Sequence, residues 1–167
     1  MPDAWDTTVA SRAHAGGRHE ALFRAHVAAD HPVSLPAPAV QEVARGLHAH
    51  ARQNPRIRHW IGSFERFVSD PLIEVVPFDG DSALLAGALH GRLPHPPTGK
   101  HRRSGTRAQQ RAAWAFDIQI AACAFANGYG VLTENVHDFA VLREAISELV
   151  PGVPPLDVRD ARELAPA

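Results

Sequence analysis

The fold is decided by residues 116–142, which read FDIQIAACAFANGYGVLTENVHDFAVL. Small and branched apolar residues predict a long helix that ends at Gly128. Residues 130–133 predict a buried strand, and a new apolar pattern from Phe139 predicts the next helix. The turn between that strand and that helix carries four polar side chains, Glu134, Asn135, His137 and Asp138. Helix, strand and helix in this order indicate a unit of a parallel sheet.

The rest of the chain repeats this alternation of strands and helices. Short runs of branched apolar residues predict strands at residues 4–6, 33–35, 71–77, 130–133 and 155–158. Apolar spacings of three and four predict helices within residues 16–30, 39–53, 79–93, 108–128 and 139–150. Because parallel strands require helical crossovers, this order predicts an α/β sandwich around a parallel sheet.

The composition is that of an ordinary globular domain. The chain has 167 residues, of which 45% are hydrophobic and 21% charged, and its net charge is −1 at pH 7. This length suits one core, so we predict a single domain over residues 1–167, with its core at residues 4–158 and a basic loop at residues 94–107. A near-neutral chain lacks a general attraction to nucleic acid or anionic membranes, so RNA binding would need a local basic patch.

Cysteine content and hydropathy bear on the compartment. The single cysteine, Cys123, excludes an intramolecular disulfide and argues against a cysteine-based zinc site. No apolar run reaches the roughly 18 residues of a membrane span. The N-terminus lacks the basic and then apolar segments of a signal peptide. We therefore expect a cytoplasmic protein without a membrane partner.

Four carboxylates occupy positions where a parallel sheet places its ligands, which is beyond the carboxyl ends of its strands. They are Asp6, Glu42, Asp117 and Asp138. Asp117 stands on the long helix among apolar neighbours, where an acid is costly unless it is paired or bound to metal. Clustered carboxylates raise one another's pKa, and a hard divalent cation removes that conflict. Magnesium prefers oxygen ligands and activates water, so this set points to phosphodiester hydrolysis.

Three segments carry a family pattern, and they read AWDTTV, PAVQEVARGL and FDIQIAACAFANGYGVLTENVHDF. Together they resemble a PIN domain, in particular the VapC-type ribonuclease toxins of prokaryotic toxin–antitoxin pairs. The family pattern has Asp-Thr-Asn/Ser, then Glu with Gly, then Asp-x-x-Ile-Ala-Ala, then Thr-x-Asn-x-x-Asp-Phe. In this chain the pattern falls on Asp6-Thr7-Thr8, Glu42 with Gly46, Asp117 with Ile120-Ala121-Ala122, and Thr133 to Phe139. The resemblance extends from Asp6 to Val158, and the C-terminal block is its specific part.

The resemblance implies a PIN-like three-layer α/β/α sandwich with a central, mainly parallel sheet, and cleavage of RNA with Mg²⁺ or Mn²⁺. Asp6 and Asp117 would be the main metal ligands, while Glu42 and Asp138 would complete the acidic pocket through bound water. The residues that would hydrogen-bond those carboxylates or a metal-bound water are Thr8 and Asn135. The resemblance also implies a homodimer and a small antitoxin whose C-terminal segment occupies the groove.

The chain departs from the family pattern in three places. MPDAW replaces the aliphatic residues usual before the first aspartate, which bears on the length of the first strand. Thr8 stands where the family prefers Asn or Ser, but its hydroxyl still donates and accepts hydrogen bonds. The loop LPHPPTGKHRRSGTRAQQ is longer than the family leads us to expect, which bears on loop geometry.

Several of these residues also have a purely structural interpretation. Asp138 would cap a helix that begins at Phe139, Asn135 suits a turn, and Glu42 is equally an exposed helix acid. A basic run has two interpretations, a solvated loop or a contact with the RNA backbone. It consists of Lys100, Arg102, Arg103, Arg107 and Arg111.

Alternatives also remain for function and assembly. The second interpretation is that the PIN fold serves as an RNA-binding or regulatory module with weak catalysis, and the third is a DNA-directed nuclease that uses the same pocket. The apolar helices within residues 20–29 and 82–93 are equally able to form a dimer face or to pack on the sheet.

Overall fold

A computed structural model describes residues 2–13, 19–97 and 106–164 of the chain. The strands are β1 Asp3–Trp5, β2 Val33–Pro36, β3 Ile73–Val76, β4 Gly130–Thr133 and β5 Val158–Asp160. They form one sheet in the order β3-β2-β1-β4-β5, and every neighbouring pair is parallel. The strand nearest the amino terminus is therefore the centre of the sheet.

Helices connect these strands. They are α1 Thr7–Ala13, α2 Glu20–Ala28, α3 Ala37–Gln53, α4 Arg58–Val68, α5 Gly80–Arg92, α6 Arg107–Ala126, α7 Val136–Leu149 and α8 Ala161–Leu164. A short 3₁₀ turn, Pro55–Ile57, joins α3 to α4. Among the residues that the structure describes, no helix has both the length and the apolar character needed to cross a membrane.

Both faces of the sheet are covered by helices. Successive side chains of a strand point to opposite faces, so Ala4 and Val131 enter one core while Trp5 and Leu132 enter the other. The first core contains apolar side chains of α5, α6 and α7. The second contains side chains of α1, α2 and α4. The predicted fold, a three-layer α/β/α sandwich around a parallel sheet, is confirmed.

Local residue choices explain several helix ends. Pro36 directly precedes α3 and Pro38 lies in its first turn, where a missing N–H costs nothing. The Asp79 side chain accepts a hydrogen bond from the Ser82 N–H at 2.9 Å and so caps α5. Beyond α6, Gly128 adopts a φ of +78°, the left-handed conformation that ends helices.

Three of the described helices, α1, α4 and α8, are not among the predicted elements, and α8 has only four residues. α1 has seven residues, too few for a period to be recognised, and it is stabilised by burying Val9, Ala10 and Ala13. α4 buries Phe64 and Phe67, three residues apart on one face. That spacing is visible in the sequence and indicates a helix.

Several predicted boundaries differ from the structure by a few residues. β1 covers Asp3–Trp5 instead of residues 4–6, so Asp6 lies just beyond the strand. β5 covers Val158–Asp160, later than the predicted residues 155–158. α7 begins at Val136, so Asp138 lies inside the first helical turn and is not the capping residue of a helix from Phe139.

Candidate active site

The candidate site lies at the carboxyl edge of β1 and β4. The chain passes from β1 to β2 on one side, while β4 pairs with the other side of β1. A reversal of strand order of this kind opens a crevice at the strand ends, where ligands bind in open α/β sheets. Asp6 follows β1 directly and Thr133 is the last residue of β4.

Asp6 is a buried carboxylate held at both oxygens. Its side chain is 3% exposed. Its Oδ1 accepts a hydrogen bond from the Val9 N–H at 2.9 Å, which is the geometry of a helix cap on α1. Its Oδ2 accepts one from the Thr133 hydroxyl at 2.6 Å. Burial raises the pKa of Asp6 to about 6, against the opposing effect of these hydrogen bonds.

Thr133 connects Asp6 to Asp138. The Thr133 hydroxyl accepts a hydrogen bond from the Asn135 N–H at 2.8 Å. The Asn135 side-chain amide donates to Asp138 Oδ2 at 2.9 Å. Asp138 is 9% exposed, so its carboxylate also lies in a largely desolvated position. One continuous network therefore joins the carboxylates that follow β1 and β4.

Glu42 is held by a separate hydrogen bond from Thr7, the residue after Asp6. The Thr7 hydroxyl donates to Glu42 Oε2 at 2.6 Å and so connects α1 to α3. The backbone N–H of Thr8 also lowers the pKa of Asp6. A role for the Thr8 hydroxyl toward the carboxylates or a metal-bound water stays a prediction. Among the described residues, the hydroxyl that contacts a predicted acid from this dipeptide is that of Thr7.

Asp117 lies in the middle of α6 and is 8% exposed. The residue before it, Phe116, packs under the guanidinium of Arg45, which lies 4.9 Å from the ring centroid. Arg45 follows Glu42 by three residues on α3. The turn of α6 that carries Asp117 is therefore packed beside the turn of α3 that follows Glu42.

Sequence reasoning did not identify the ion pair that holds the turn between β4 and α7. Glu134 accepts two hydrogen bonds from Arg12 Nη1, at 2.7 and 2.6 Å. His19 Nε2 lies 2.7 Å from Glu134 Oε1, and the His19 side chain is fully buried. These contacts fix the turn that carries Thr133 and Asn135. Their partners lie more than 100 residues apart in the chain, so no local pattern reveals them.

A groove of about 450 Å³ opens beside the acids, between α1, α3 and α4. Its walls include Thr7, Glu42, Val43, Arg45, Leu47 and Trp60. Apolar side chains dominate the surface away from Glu42. The groove therefore combines an acidic end with an apolar wall.

The predicted basic run is only partly within the described residues. Arg107 and Arg111 are exposed on the first turns of α6, which Thr106 caps. Lys100, Arg102 and Arg103 lie outside the residues that the structure describes. A role for this run in RNA binding stays a prediction. His137 is exposed on α7, as expected for a solvated side chain.

The donor chemistry of the site suits a hard cation. In the described residues, no three His, Cys, Asp or Glu side chains form a ready-made metal cluster. Magnesium, however, usually takes only one or two carboxylates directly and keeps several waters. Asp6 has oxygen donors and a pKa raised by burial, so a cation would relieve its unfavourable ionisation. The residues fit a sparsely ligated, water-rich magnesium site.

Thr133→Val tests the network that holds Asp6. The substitution keeps the side-chain volume but removes the hydroxyl that donates to Asp6 and accepts from Asn135. We expect the pKa of Asp6 to rise above 6 and the free energy of unfolding to fall by about 1–3 kcal/mol. NMR titration of the Asp6 carboxyl carbon and urea denaturation measure these two quantities. Thr133→Ser keeps the hydroxyl, and an equal pKa rise in that variant would contradict the assignment.

Comparison with solved structures identifies the same fold elsewhere. A chain of VapBC2 from Rickettsia felis, solved bound to a DNA fragment from their promoter, matches with a TM-score of 0.57 and 14% identity. The match covers 96% of this chain and 98% of that one. A chain of a toxin–antitoxin complex from Klebsiella pneumoniae matches at 18% identity over 83% of this chain and 90% of that one. Its TM-score of 0.47 is too low to support an argument.

Sequence comparisons add no relative. A search against protein-family models gave no match, and neither did a search of curated proteins. At 14% identity the structural match establishes fold and not activity. The chain therefore has the predicted PIN-like α/β/α architecture, which it shares with a chain of the VapBC2 assembly.

Proposed function

We propose that this chain is a metal-dependent endoribonuclease that acts in the cytoplasm as the toxin of a type II toxin–antitoxin pair. The observation that carries the proposal is the buried carboxylate of Asp6, held by Thr133 at the switch point of a parallel sheet. A buried acid with a raised pKa in a crevice is a common mark of a functional site. The fold shared with VapBC2 supports the same class of protein.

The reaction is hydrolysis of an RNA phosphodiester. Water attacks phosphorus, the bond from phosphorus to the 3′-oxygen breaks, and the products carry a 5′-phosphate and a 3′-hydroxyl. Asp6 and Asp117 would hold Mg²⁺ or Mn²⁺, and the bound ion would polarise the phosphoryl group and lower the pKa of its water. Glu42 and Asp138 would complete the acidic pocket by accepting hydrogen bonds from the waters bound to that ion.

Different hydrogen bonds orient each of three of these acids, Asp6, Asp138 and Glu42. Thr133 and the Val9 N–H orient the Asp6 carboxylate, which therefore needs no rearrangement when a cation arrives. Asn135 orients the Asp138 carboxylate by donating a hydrogen bond to its Oδ2. Thr7 holds Glu42 at the mouth of the groove. Preorganised groups of this kind lower the barrier because they do not have to reorient during the reaction.

The direct test compares the purified chain with Asp117→Asn on a labelled RNA, with magnesium or manganese and then with EDTA. We expect cleavage by the unsubstituted chain with metal, none with EDTA, and loss of cleavage in the variant. Circular dichroism checks that both proteins are folded. Equal cleavage by both proteins would mean that the activity is a contaminant or that the domain is not catalytic. A DNA of the same sequence, added as competitor, tests the preference for RNA.

The partner of such a toxin would be a small antitoxin. The groove beside Glu42 supports this proposal, because it offers an apolar wall for a peptide and an acidic end for a basic side chain. A search for a small reading frame directly upstream of the gene, followed by co-expression with its product, tests it. Co-purification and inhibition of cleavage are the expected results.

We also propose a homodimer, which would form through α5. Leu84 on this helix is 76% exposed, the largest exposed fraction among the large apolar side chains that the structure describes. Light scattering measures the molar mass of the unsubstituted chain and of Leu84→Glu. We expect a dimer for the unsubstituted chain and a monomer for the variant. A monomeric unsubstituted chain would contradict the proposal.

A second candidate is a PIN-fold RNA-binding module with weak catalysis. It is favoured by one observation, that the described residues contain no ready-made group of three metal-ligating side chains. RNA binding without metal-dependent cleavage would select this candidate over the nuclease.

A further inference from the structure

The hairpin of α3 and α4 concentrates positive charge. Residues 45–66 contain five arginines and a single acid, Glu65, which gives a net charge of +4. The whole chain carries −1, so the remaining residues carry −5. The five arginines are all exposed, and they are Arg45, Arg52, Arg56, Arg58 and Arg66. A protein that is nearly neutral overall therefore has one strongly basic surface.

The helical geometry aligns part of this charge. Arg45, His48 and Arg52 follow one another at spacings of three and four, which places them along one face of α3. A cavity of about 350 Å³ lies between α3 and α4, and His48, Arg52 and Arg58 are among the residues that line it. Its remaining lining is Ala51, Ile61 and Gly62. Two guanidinium groups and an imidazole thus border one concave site.

A fourth arginine lies close to the same cavity. A Cβ placed on Gly62, which lines the cavity, would lie 3.7 Å from Arg66 Nη1. We call the surface formed by Arg45, His48, Arg52, Arg58 and Arg66 the α3–α4 basic cleft.

The arginines of the cleft are not neutralised within the part of the chain that the structure describes. None of them forms a salt bridge with a described carboxylate, whereas several arginines elsewhere do. The paired arginines are Arg12, Arg24, Arg92, Arg159 and Arg162. Within the described residues, the cleft arginines thus have no carboxylate partner, and their charge suits an external anion.

The cleft begins at the candidate active site. Arg45 lines the same groove as Glu42, and Arg52 lies ten residues beyond Glu42 on the same helix. Ten helical residues span about 15 Å. Trp60, at the wall of the groove, adds an aromatic side chain of the kind that stacks on bases. A path of positive charge thus leads from the acids outward along α3.

We propose that the α3–α4 basic cleft binds the phosphate backbone of single-stranded RNA on one side of the bond that is cut. The inference rests on the proposed ribonuclease function. Arginine forks match phosphate oxygens through paired hydrogen bonds, and an array of them suits a polymer with regularly spaced charges. Such contacts fix the position of the strand without reading its bases. The cleft therefore supplies the affinity that an acidic catalytic pocket cannot provide.

The test measures RNA binding separately from cleavage. In an Asp117→Asn background, Arg52→Gln with Arg58→Gln is compared with Arg24→Gln with Arg92→Gln, which changes the net charge equally. The probe is a fluorescein-labelled single-stranded RNA, titrated at several salt concentrations. For the cleft pair we expect about tenfold weaker binding and a log–log salt slope less steep by about 1.4, since each phosphate contact to a single strand contributes about 0.7. The control pair should bind like its parent.

Several results would overturn the inference. They are no binding by the parent, unchanged binding by the cleft pair, or an equal loss in the control pair. Displacement of RNA by poly-glutamate as effectively as by unlabelled RNA would instead identify a site for acidic peptides. The unsubstituted chain in EDTA provides the same comparison if Asp117→Asn does not fold.

Cleavage by the unsubstituted chain, measured in parallel, keeps this inference distinct from the proposed function. Weaker binding by the cleft pair without any metal-dependent cleavage would support the cleft and refute the nuclease. Metal-dependent cleavage with unchanged binding by the cleft pair would support the nuclease and refute the role of the cleft.

Discussion

Asp6→Asn is expected to lower the rate of magnesium-dependent RNA cleavage by about 10³-fold or more, the loss that follows when several kcal/mol of charge stabilisation at a metal site are removed. The substitution replaces one oxygen of the buried carboxylate by an NH₂ group and so removes the negative charge. Asn fills nearly the same volume, although it offers one acceptor oxygen where Asp6 accepts hydrogen bonds at two. Single-turnover cleavage of a labelled RNA at saturating magnesium measures the effect.

Asp79→Asn is the matched control for this substitution. Asp79 also follows a strand at the same edge of the sheet, but its carboxylate caps α5 through the Ser82 N–H. Asn is a good helix cap as well, so cleavage should change little. Equal losses in the two variants, or full activity in Asp6→Asn, would exclude Asp6 from the chemistry.

The same substitution, Asp6→Asn, is expected to stabilise the metal-free fold at neutral pH. Burial raises the pKa of Asp6 from 3.8 to about 6, so the folded chain holds a proton that the unfolded chain releases between these values. Ionisation at higher pH therefore opposes folding, by on the order of 2–3 kcal/mol for a shift of this size. Below pH 3.8 the acid is largely protonated in both states and the penalty disappears.

Urea denaturation between pH 3.5 and 8 measures this effect as the difference in stability between Asp6→Asn and the unsubstituted chain. The difference should be close to zero at the acidic end, grow between pH 4 and 6, and stay constant above. Added magnesium should stabilise the unsubstituted chain more than the variant, since a ligand stabilises the state that binds it. A variant that is less stable than the parent at pH 7 would contradict the burial argument.

For Asp79, ionisation should have the opposite effect on the stability of the folded chain. Hydrogen bonds from Ser82, first of all from its backbone N–H, lower the pKa of Asp79. Ionised Asp79 therefore favours the folded chain above its ordinary pKa, and removing its charge should give no gain in stability at pH 7. Two aspartates at one edge of a sheet thus respond in opposite directions to the same substitution.

The parts of the fold that sequence analysis predicts best are those with strong local signals. α6 has twenty residues and ends at a glycine with positive φ, and β4 is a short apolar run bounded by turn residues. α4 also has a recognisable period, in its apolar residues Trp60, Phe64 and Phe67, yet it was not among the predicted helices. α1 is too short for a period and depends on tertiary burial, so its sequence alone does not specify it.

In the candidate site, too, local features are predictable from the sequence, whereas contacts between distant residues are not. The positions of the acids follow from the rule that ligands bind at strand ends, and Asp6 and Asp138 indeed belong to one network. Asn135, which the family resemblance implies as a partner of these acids, does donate to Asp138. The contact between Thr133 and Asp6 could not be predicted, because the two residues are 127 positions apart in the chain. Glu134 and Arg12, which form an ion pair, are also separated by 122 positions in the chain. Such partners are determined by strand order, which no local pattern records.

The central position of β1 has a consequence for the timing of activity. β1 comes from the first residues of the chain, whereas its neighbour β4 begins at Gly130. A nascent chain that ends before β4 has an open edge on β1, and its Asp6 lacks the Thr133 hydroxyl. Domains form as units once their distant contacts are available. The carboxylate of Asp6 therefore reaches its described geometry only after residue 133 has been synthesised.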